Sequence, residues 1–237
     1  MLKTSVKIDS SEGAQFDCYL AIPQSRKPVP AIVLASAILG VDGDIRAIAD
    51  DFASRGYLAA APDLFWRTVP GPLARGDPRA APRGQPRIET IRTGERDLAD
   101  ALLMLRRQPL FNGRAVVMGL CYGGPYAILG PYRLGYEGGI ACHGSQMLDF
   151  LAEFEQVTQP LCILWGDLDH AAPANVRDTY AATCARMSNA TLRVLAGVQH
   201  GYMLRGNAKA FDPASYELSM QLACEMLARN ETAPRGN

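Results

Sequence analysis

Short apolar runs alternate along this chain with stretches whose apolar positions recur every three to four residues. Residues 3–8 and 15–22 alternate apolar and polar side chains around a turn signal at 10–13, which predicts a pair of strands. Residues 31–36 are nearly all apolar, as expected of a strand covered on both faces. Residues 45–55 then read as a helix stopped by Gly56, with Asp42 or Asp44 available to cap its start. A second buried strand is expected at 57–61. Residues 64–88 follow, a long connection rich in Pro, Gly and Arg. Helical periodicity returns over 90–107, where Ile91, Leu98, Ala101, Leu102 and Leu105 share a face. Further strands are expected at 115–118, 139–142, 161–165 and 191–195. Helices are expected at 122–129, near 147–154, and at 175–187 and 213–229.

Strands separated by helices imply an α/β fold with a mainly parallel sheet, right-handed crossovers and an antiparallel hairpin at the N-terminal edge. The reading is one domain over residues 1–230 and a flexible tail over 231–237. Ligands of such sheets bind beyond the carboxyl ends of the strands, so residues just after strands are the ones to search for chemistry.

The 237 residues are 48% hydrophobic, with 24 basic and 24 acidic side chains. That balance gives no electrostatic reason to expect a nucleic-acid or acidic-membrane partner. The first residues contain no apolar leader core, and the apolar stretch near 31–41 is too short to span a bilayer. Six cysteines, none at C-x-x-C spacing, argue against a zinc site or a disulfide scaffold. All except Cys121 read as buried free thiols, which points to a reducing, cytoplasmic location.

Cys121 is different because of its neighbours. Gly119-Leu120-Cys121-Tyr122-Gly123 follows an apolar strand and precedes a helix-compatible stretch. This is the spacing of a nucleophile elbow, with cysteine as the nucleophile. The elbow is a strained turn that lifts its central side chain above the sheet edge, and the flanking glycines let the backbone close. The backbone N–H of Tyr122 is placed to meet an oxyanion. The six residues 119–124 are too short for a dinucleotide fingerprint, and neither a cofactor nor a metal is expected.

A cysteine nucleophile needs a base and the base an orienting acid. The chain has three histidines, His143, His170 and His200. His200 lies among small residues directly after the strand at 191–195 and is taken as the base. Asp167 and Asp169 both follow the strand at 161–165; Asp169 is favoured as the orienting acid and Asp167 as a turn former. His170 would then be exposed or in the outer layer of the site. The order Cys121, Asp169, His200 is the chain order of α/β-hydrolases. Trp66, with Phe65 and Tyr122, is a candidate apolar wall.

With these motifs the chain resembles the dienelactone hydrolase (carboxymethylenebutenolidase) family. The resemblance rests on residues 35–41, 61–65, 119–124, 167–173 and 199–202. It implies an α/β-hydrolase with a Cys121–His200–Asp169 triad that cleaves a lactone or small ester through an acyl-enzyme. It also implies a second oxyanion N–H at Ile38 and arginines that bind an anionic substrate. The family's loop arginine falls nearest Arg83. Its other arginine follows the histidine by four residues, where Leu204 stands with Arg205 one later. Well-known members carry a glutamate beside the resting thiol where this chain has Ala37, so Cys121 is expected to pair directly with His200. Two other readings remain: a general carboxylesterase or thioesterase, and a non-catalytic ligand-binding relative.

Overall fold

A computed structural model describes residues 1–232 of the chain. Eight strands lie in one sheet: β1 (Leu2–Asp9), β2 (Gln15–Ile22), β3 (Val29–Ala35), β4 (Leu58–Pro62), β5 (Phe111–Leu120), β6 (Gly138–Cys142), β7 (Leu161–Gly166) and β8 (Ala190–Leu195). Their spatial order is β1-β2-β4-β3-β5-β6-β7-β8. β1 pairs antiparallel with β2, and β2 antiparallel with β4; every other neighbouring pair is parallel. The helices that flank the sheet are α1 (Gly43–Ser54), α2 (Arg87–Arg106), α3 (Ala174–Cys184) and α4 (Pro213–Thr232).

The apolar runs become central strands because both of their faces are covered. In β3, Ala31, Val33 and Ala35 belong to one core cluster, and Ile32 and Leu34 belong to the other. β5 splits the same way, with Ala115 and Val117 on one side and Val116, Met118 and Leu120 on the other. A side-chain period of two sends successive residues of a strand to opposite faces, and only an apolar run satisfies both. α1 starts as its sequence suggests: Asp42 accepts from the N–H groups of Asp44 and Ile45 at 3.0 and 3.1 Å.

The elements depart from expectation where proline and glycine interrupt them. After Cys121 there is no single helix over 122–129. A 3₁₀ turn (Cys121–Gly123), a short helix (Tyr126–Leu129) and a π turn (Gly130–Leu134) follow one another. Pro125 and Pro131 each lack a donor, so a continuous hydrogen-bond ladder cannot run through the segment. The segment 147–154 is likewise a 3₁₀ turn followed by one α-helical turn. α2 begins three residues earlier than expected, at Arg87, and α4 continues to Thr232, past the expected end at Arg229. The first two residues of the expected tail therefore belong to α4; residues 233–237 lie outside the described residues.

Strand register decides where the chemistry lands. Ala35 pairs with Gly119, Leu120 with Cys142, Cys142 with Leu164, and Gly166 with Leu195. The carboxyl ends of β3, β5, β6, β7 and β8 thus finish side by side. The next residues along each strand, among them Ser36, Cys121, His143, Asp167 and Ala196, open onto one edge.

Candidate active site

Cys121 sits at φ 51°, in the left-handed region that a side chain seldom adopts. The two glycines of the motif make this possible. A Cβ on Gly119 would stand 2.2 Å from the Gly123 carbonyl oxygen, and one on Gly123 would stand 2.2 Å from the Ala35 carbonyl oxygen. Both close approaches require glycine, and the turn lifts the thiol over the sheet edge.

His200 reaches the thiol from the loop after β8. Its Nε2 is 3.1 Å from Cys121 Sγ, and its Nδ1 is 2.9 and 3.0 Å from the two carboxylate oxygens of Asp169. Asp169 also accepts the Ala171 N–H at 2.8 Å, and its side chain is fully buried. Asp167 accepts the Gly197 N–H at 2.7 Å, which pins the β8 loop that carries His200. Of the two aspartates, Asp169 is the one in contact with His200. His170 is exposed, with its ring centre 5.0 Å from that of His200.

Electrostatics reinforce the pair. Burial pushes the Cys121 thiol up, but the hydrogen bond and charge of His200, the Tyr122 backbone N–H and the Arg87 charge together bring it below the ordinary cysteine value. Burial pulls the His200 imidazolium down, yet its bonds to Asp169 and Cys121 raise it to about 10. Both shifts favour the same state, thiolate beside imidazolium. The other five cysteines are all pushed up by burial. Two of them, Cys184 and Cys224, are only partly buried, where full burial was expected.

Ala37 lies buried in an apolar cluster with Val41 and Ile45, so no carboxylate stands at that position. Ile38 follows it in the β3 loop. A Cβ on Gly84 would strike both Ile38 Cδ1, at 2.8 Å, and Tyr122 Cε2, at 2.5 Å, so these two residues close on one another beside the elbow.

Of the anticipated substrate-binding side chains, Arg205 and Trp66 are hydrogen-bonded within the fold, and Arg83 is so in part, with Nε and Nη1 unpartnered among the described residues. Arg83 is buried, donates to the Gly71 carbonyl at 3.0 Å, lies 3.7 Å from Asp63 and stacks over Phe65. It ties the 63–73 loop together. Arg205 donates to Asp51 at 2.6 Å and covers the Tyr216 ring, linking its loop to α1 and α4. Trp66 donates its Nε1–H to Asp97 at 3.0 Å and stacks on Phe16.

Two residues at the site were not singled out from the sequence. Arg87 donates through Nη2 to the carbonyls of Tyr122, at 3.0 Å, and Ser145, at 2.8 Å, and lies over the Tyr122 ring. Nothing local marks it among the arginines of its segment, since its partners are 35 and 58 residues away. His143 follows β6 directly, and the rule that found the other three residues, to look just after a strand, points to it as well.

An eight-stranded, mostly parallel sheet with an elbow at the end of its fifth strand defines an α/β-hydrolase. The chain belongs to the dienelactone hydrolase family: the model of that family matches residues 16–230. It is similar to a carboxymethylenebutenolidase of Cupriavidus pinatubonensis, 27% identical over 233 residues, with 96% of this chain and 97% of that one covered. It is also similar to a carboxymethylenebutenolidase of Pseudomonas putida, 29% identical over 180 residues, which cover 75% of this chain and 76% of the relative. Among solved structures it resembles a dienelactone hydrolase-like promiscuous phosphotriesterase from metagenomic libraries. There the TM-score is 0.79 at 16% identity, and the match covers 97% of this chain and 99% of that one, a likeness of fold. The protein is a hydrolase of this family.

Proposed function

We propose that the protein hydrolyses a lactone or small ester by acyl transfer to Cys121, with His200 as the proton carrier and Asp169 as its orienting acid. One observation carries the reading: Sγ, the imidazole and the Asp169 carboxylate form an unbroken chain of contacts at 3.1 Å and at 2.9 and 3.0 Å. The Cys121 thiolate adds to the substrate carbonyl. The resulting oxyanion is held by the backbone N–H groups of Tyr122 and Ile38. The C–O bond breaks as the His200 imidazolium gives its proton to the leaving alkoxide. A water then attacks the thioester, His200 takes its proton, and the acid leaves as the thiolate–imidazolium pair re-forms. The net change is ester plus water to acid plus alcohol. Asp169 keeps Nδ1 protonated and stabilises the imidazolium throughout.

Arg205 is engaged by Asp51, and Arg83 is fully buried with Nη2 on the Gly71 carbonyl, so that its Nε and Nη1, unpartnered among the described residues, are closed off from solvent; on these grounds we read the preferred substrate as an uncharged ester rather than an anionic lactone. The groove beside His170, lined also by Ser145, Met147, Leu148 and Val176, has a volume of about 330 Å³ and offers a mostly apolar wall for the acyl or alcohol part. A panel of lactones, aryl esters and thioesters, run on wild type and on Cys121→Ala, tests the proposal. Turnover of aryl esters and neutral lactones that vanishes in the variant supports it. Wild type inert to every member points to a non-catalytic binder, and a strong preference for anionic lactones overturns the substrate reading.

A further inference from the structure

His143 takes no part in the hydrolysis just described, yet it is built into the same cluster. It follows β6 at φ 43°, donates its backbone N–H to the Leu164 carbonyl at 2.8 Å, and is fully buried. Its ring stands edge-on to His200, with centroids 5.0 Å apart, and to Tyr202, with centroids 5.3 Å apart. Neither Nδ1 nor Nε2 has a hydrogen-bond partner among the described residues. A buried polar atom without a partner is rare and calls for a reason. Here the surroundings supply one. A ring nitrogen of His143, one of His200 and Cys121 Sγ all lie within 4.8 Å of one another.

Three ligand atoms of this kind suit a soft divalent cation. Zinc bonds thiolate sulfur at about 2.3 Å and imidazole nitrogen at about 2.0–2.1 Å, so tetrahedral ligation needs donor atoms roughly 3.3–3.6 Å apart. Cys121 and His200 already stand at 3.1 Å, and His143, within 4.8 Å of both, needs to close by at most about 1.2–1.5 Å. The outer layer is also present: Asp169 holds His200 Nδ1, which orients Nε2 as a ligand and raises its basicity. One thiolate and two imidazoles select zinc-like ions over magnesium or calcium, which prefer oxygen. With neither ring nitrogen engaged among the described residues, the His143 imidazole is free to turn a nitrogen lone pair to an ion.

We propose that Cys121, His143 and His200 form a binding site for a zinc-type divalent cation, which caps the nucleophile and holds the hydrolase inactive until the metal is withdrawn. The capping role rests on the hydrolase reading above; the metal site itself does not. On binding, the cation takes the thiolate and Nε2 as ligands, and the imidazolium proton is released to solvent. No electron is transferred, and a chelator reverses the change.

The test uses the full chain, stripped of metal and titrated with zinc chloride, or with cobalt(II) as a spectroscopic probe. One equivalent of zinc should bind with release of about one proton near neutral pH. Zinc should block alkylation of Cys121 by iodoacetamide, and chelation should restore it. Cobalt should give a thiolate-to-metal charge-transfer band that is lost in Cys121→Ala. His143→Asn, a residue type that tolerates positive φ, should weaken zinc binding at least tenfold. His143→Gln repeats the measurement should the Asn variant fail to fold. Zinc affinity within twofold of wild type in a folded His143 variant overturns the proposal, because the ion then uses only Cys121 and His200. So does the absence of a charge-transfer band, or alkylation that continues at saturating zinc. A chain that binds zinc as described and hydrolyses no substrate leaves the metal site standing and removes the hydrolase reading instead.

Discussion

Replacing Asp169 by asparagine tests the proposed division of roles, because the structure gives that carboxylate three contacts and an amide can satisfy only some of them. The carboxylate accepts from His200 Nδ1 at 2.9 and 3.0 Å and from the Ala171 N–H at 2.8 Å, with its side chain fully buried. Asparagine has one acceptor oxygen and a donating NH₂ group. If the oxygen keeps Ala171, the NH₂ faces Nδ1 and drives the imidazole proton onto Nε2, where it points at sulfur and cannot be replaced by another. If the oxygen turns to Nδ1, the NH₂ meets the Ala171 N–H, and an unpaired buried donor costs about 1–3 kcal/mol. The lost charge-assisted bond to the imidazolium adds about 1.5–3 kcal/mol. Together these give about 2.5–6 kcal/mol, or roughly 10²- to 10⁴-fold in kcat, whose upper end is the size of wrong-tautomer effects in other triads. Asp167→Asn is the internal control. Asp167 is exposed and, among the described residues, accepts the Gly197 N–H at 2.7 Å, which an asparagine oxygen can also accept, so its kcat should stay within about tenfold of wild type. The assay is steady-state release of p-nitrophenol from an acetate ester, with circular dichroism to show that each variant is folded. A larger loss for Asp167→Asn than for Asp169→Asn, or folded Asp169→Asn within tenfold of wild type, refutes the reasoning.

Three further outcomes follow from the same geometry. Cys121 should be alkylated by iodoacetamide with a pH inflection below the free-thiol value of about 8.5 that moves upward in His200→Ala; peptide mass spectrometry reads each cysteine, and an inflection at or above 8.5 that His200→Ala leaves in place excludes the resting ion pair. Gly123→Ala should lose about 1–3 kcal/mol or more in urea unfolding, because its Cβ falls 2.2 Å from the Ala35 carbonyl oxygen; an unchanged midpoint means that the elbow does not close as described. Arg87→Gln removes the donor that ties the Tyr122 and Ser145 carbonyls together, and should lower kcat about tenfold while raising the Cys121 alkylation inflection; unchanged values of both place Arg87 outside the site's support.

The strands and the residues after them were legible because both follow from local rules. A run such as 31–35 is apolar at every position only if two faces are covered, and Gly119 and Gly123 are needed wherever a backbone must pass within van der Waals range of another. Asp169 and His200 could be placed because each stands just past a strand. Arginine was not legible in the same way. Arg83, Arg87 and Arg205 have long side chains whose partners, the Gly71 carbonyl, the Ser145 carbonyl and Asp51, lie 12, 58 and 154 residues away. Spacing in the chain carries no record of those meetings. The helix after the elbow was expected to start too early: its end at Leu129 is as expected, but a 3₁₀ turn occupies Cys121–Gly123 and the α-helix begins only at Tyr126, after Pro125. His143 was visible as a residue following a strand, but its unpartnered nitrogens appear only when β6 is set beside the β5 and β8 ends.

The central claim is that an acyl group passes through the Cys121 sulfur, and a slow-releasing substrate reads this directly. Mixing the enzyme with a p-nitrophenyl dialkylcarbamate, quenching in acid and mapping the digest by mass should show one equivalent of p-nitrophenol released in a burst and one carbamoyl group on the peptide that contains Cys121. Cys121→Ala should show neither, and should have no turnover of the acetate ester above background. A carbamoyl group on any other residue, or a folded Cys121→Ala that retains more than a few per cent of wild-type turnover, contradicts the account.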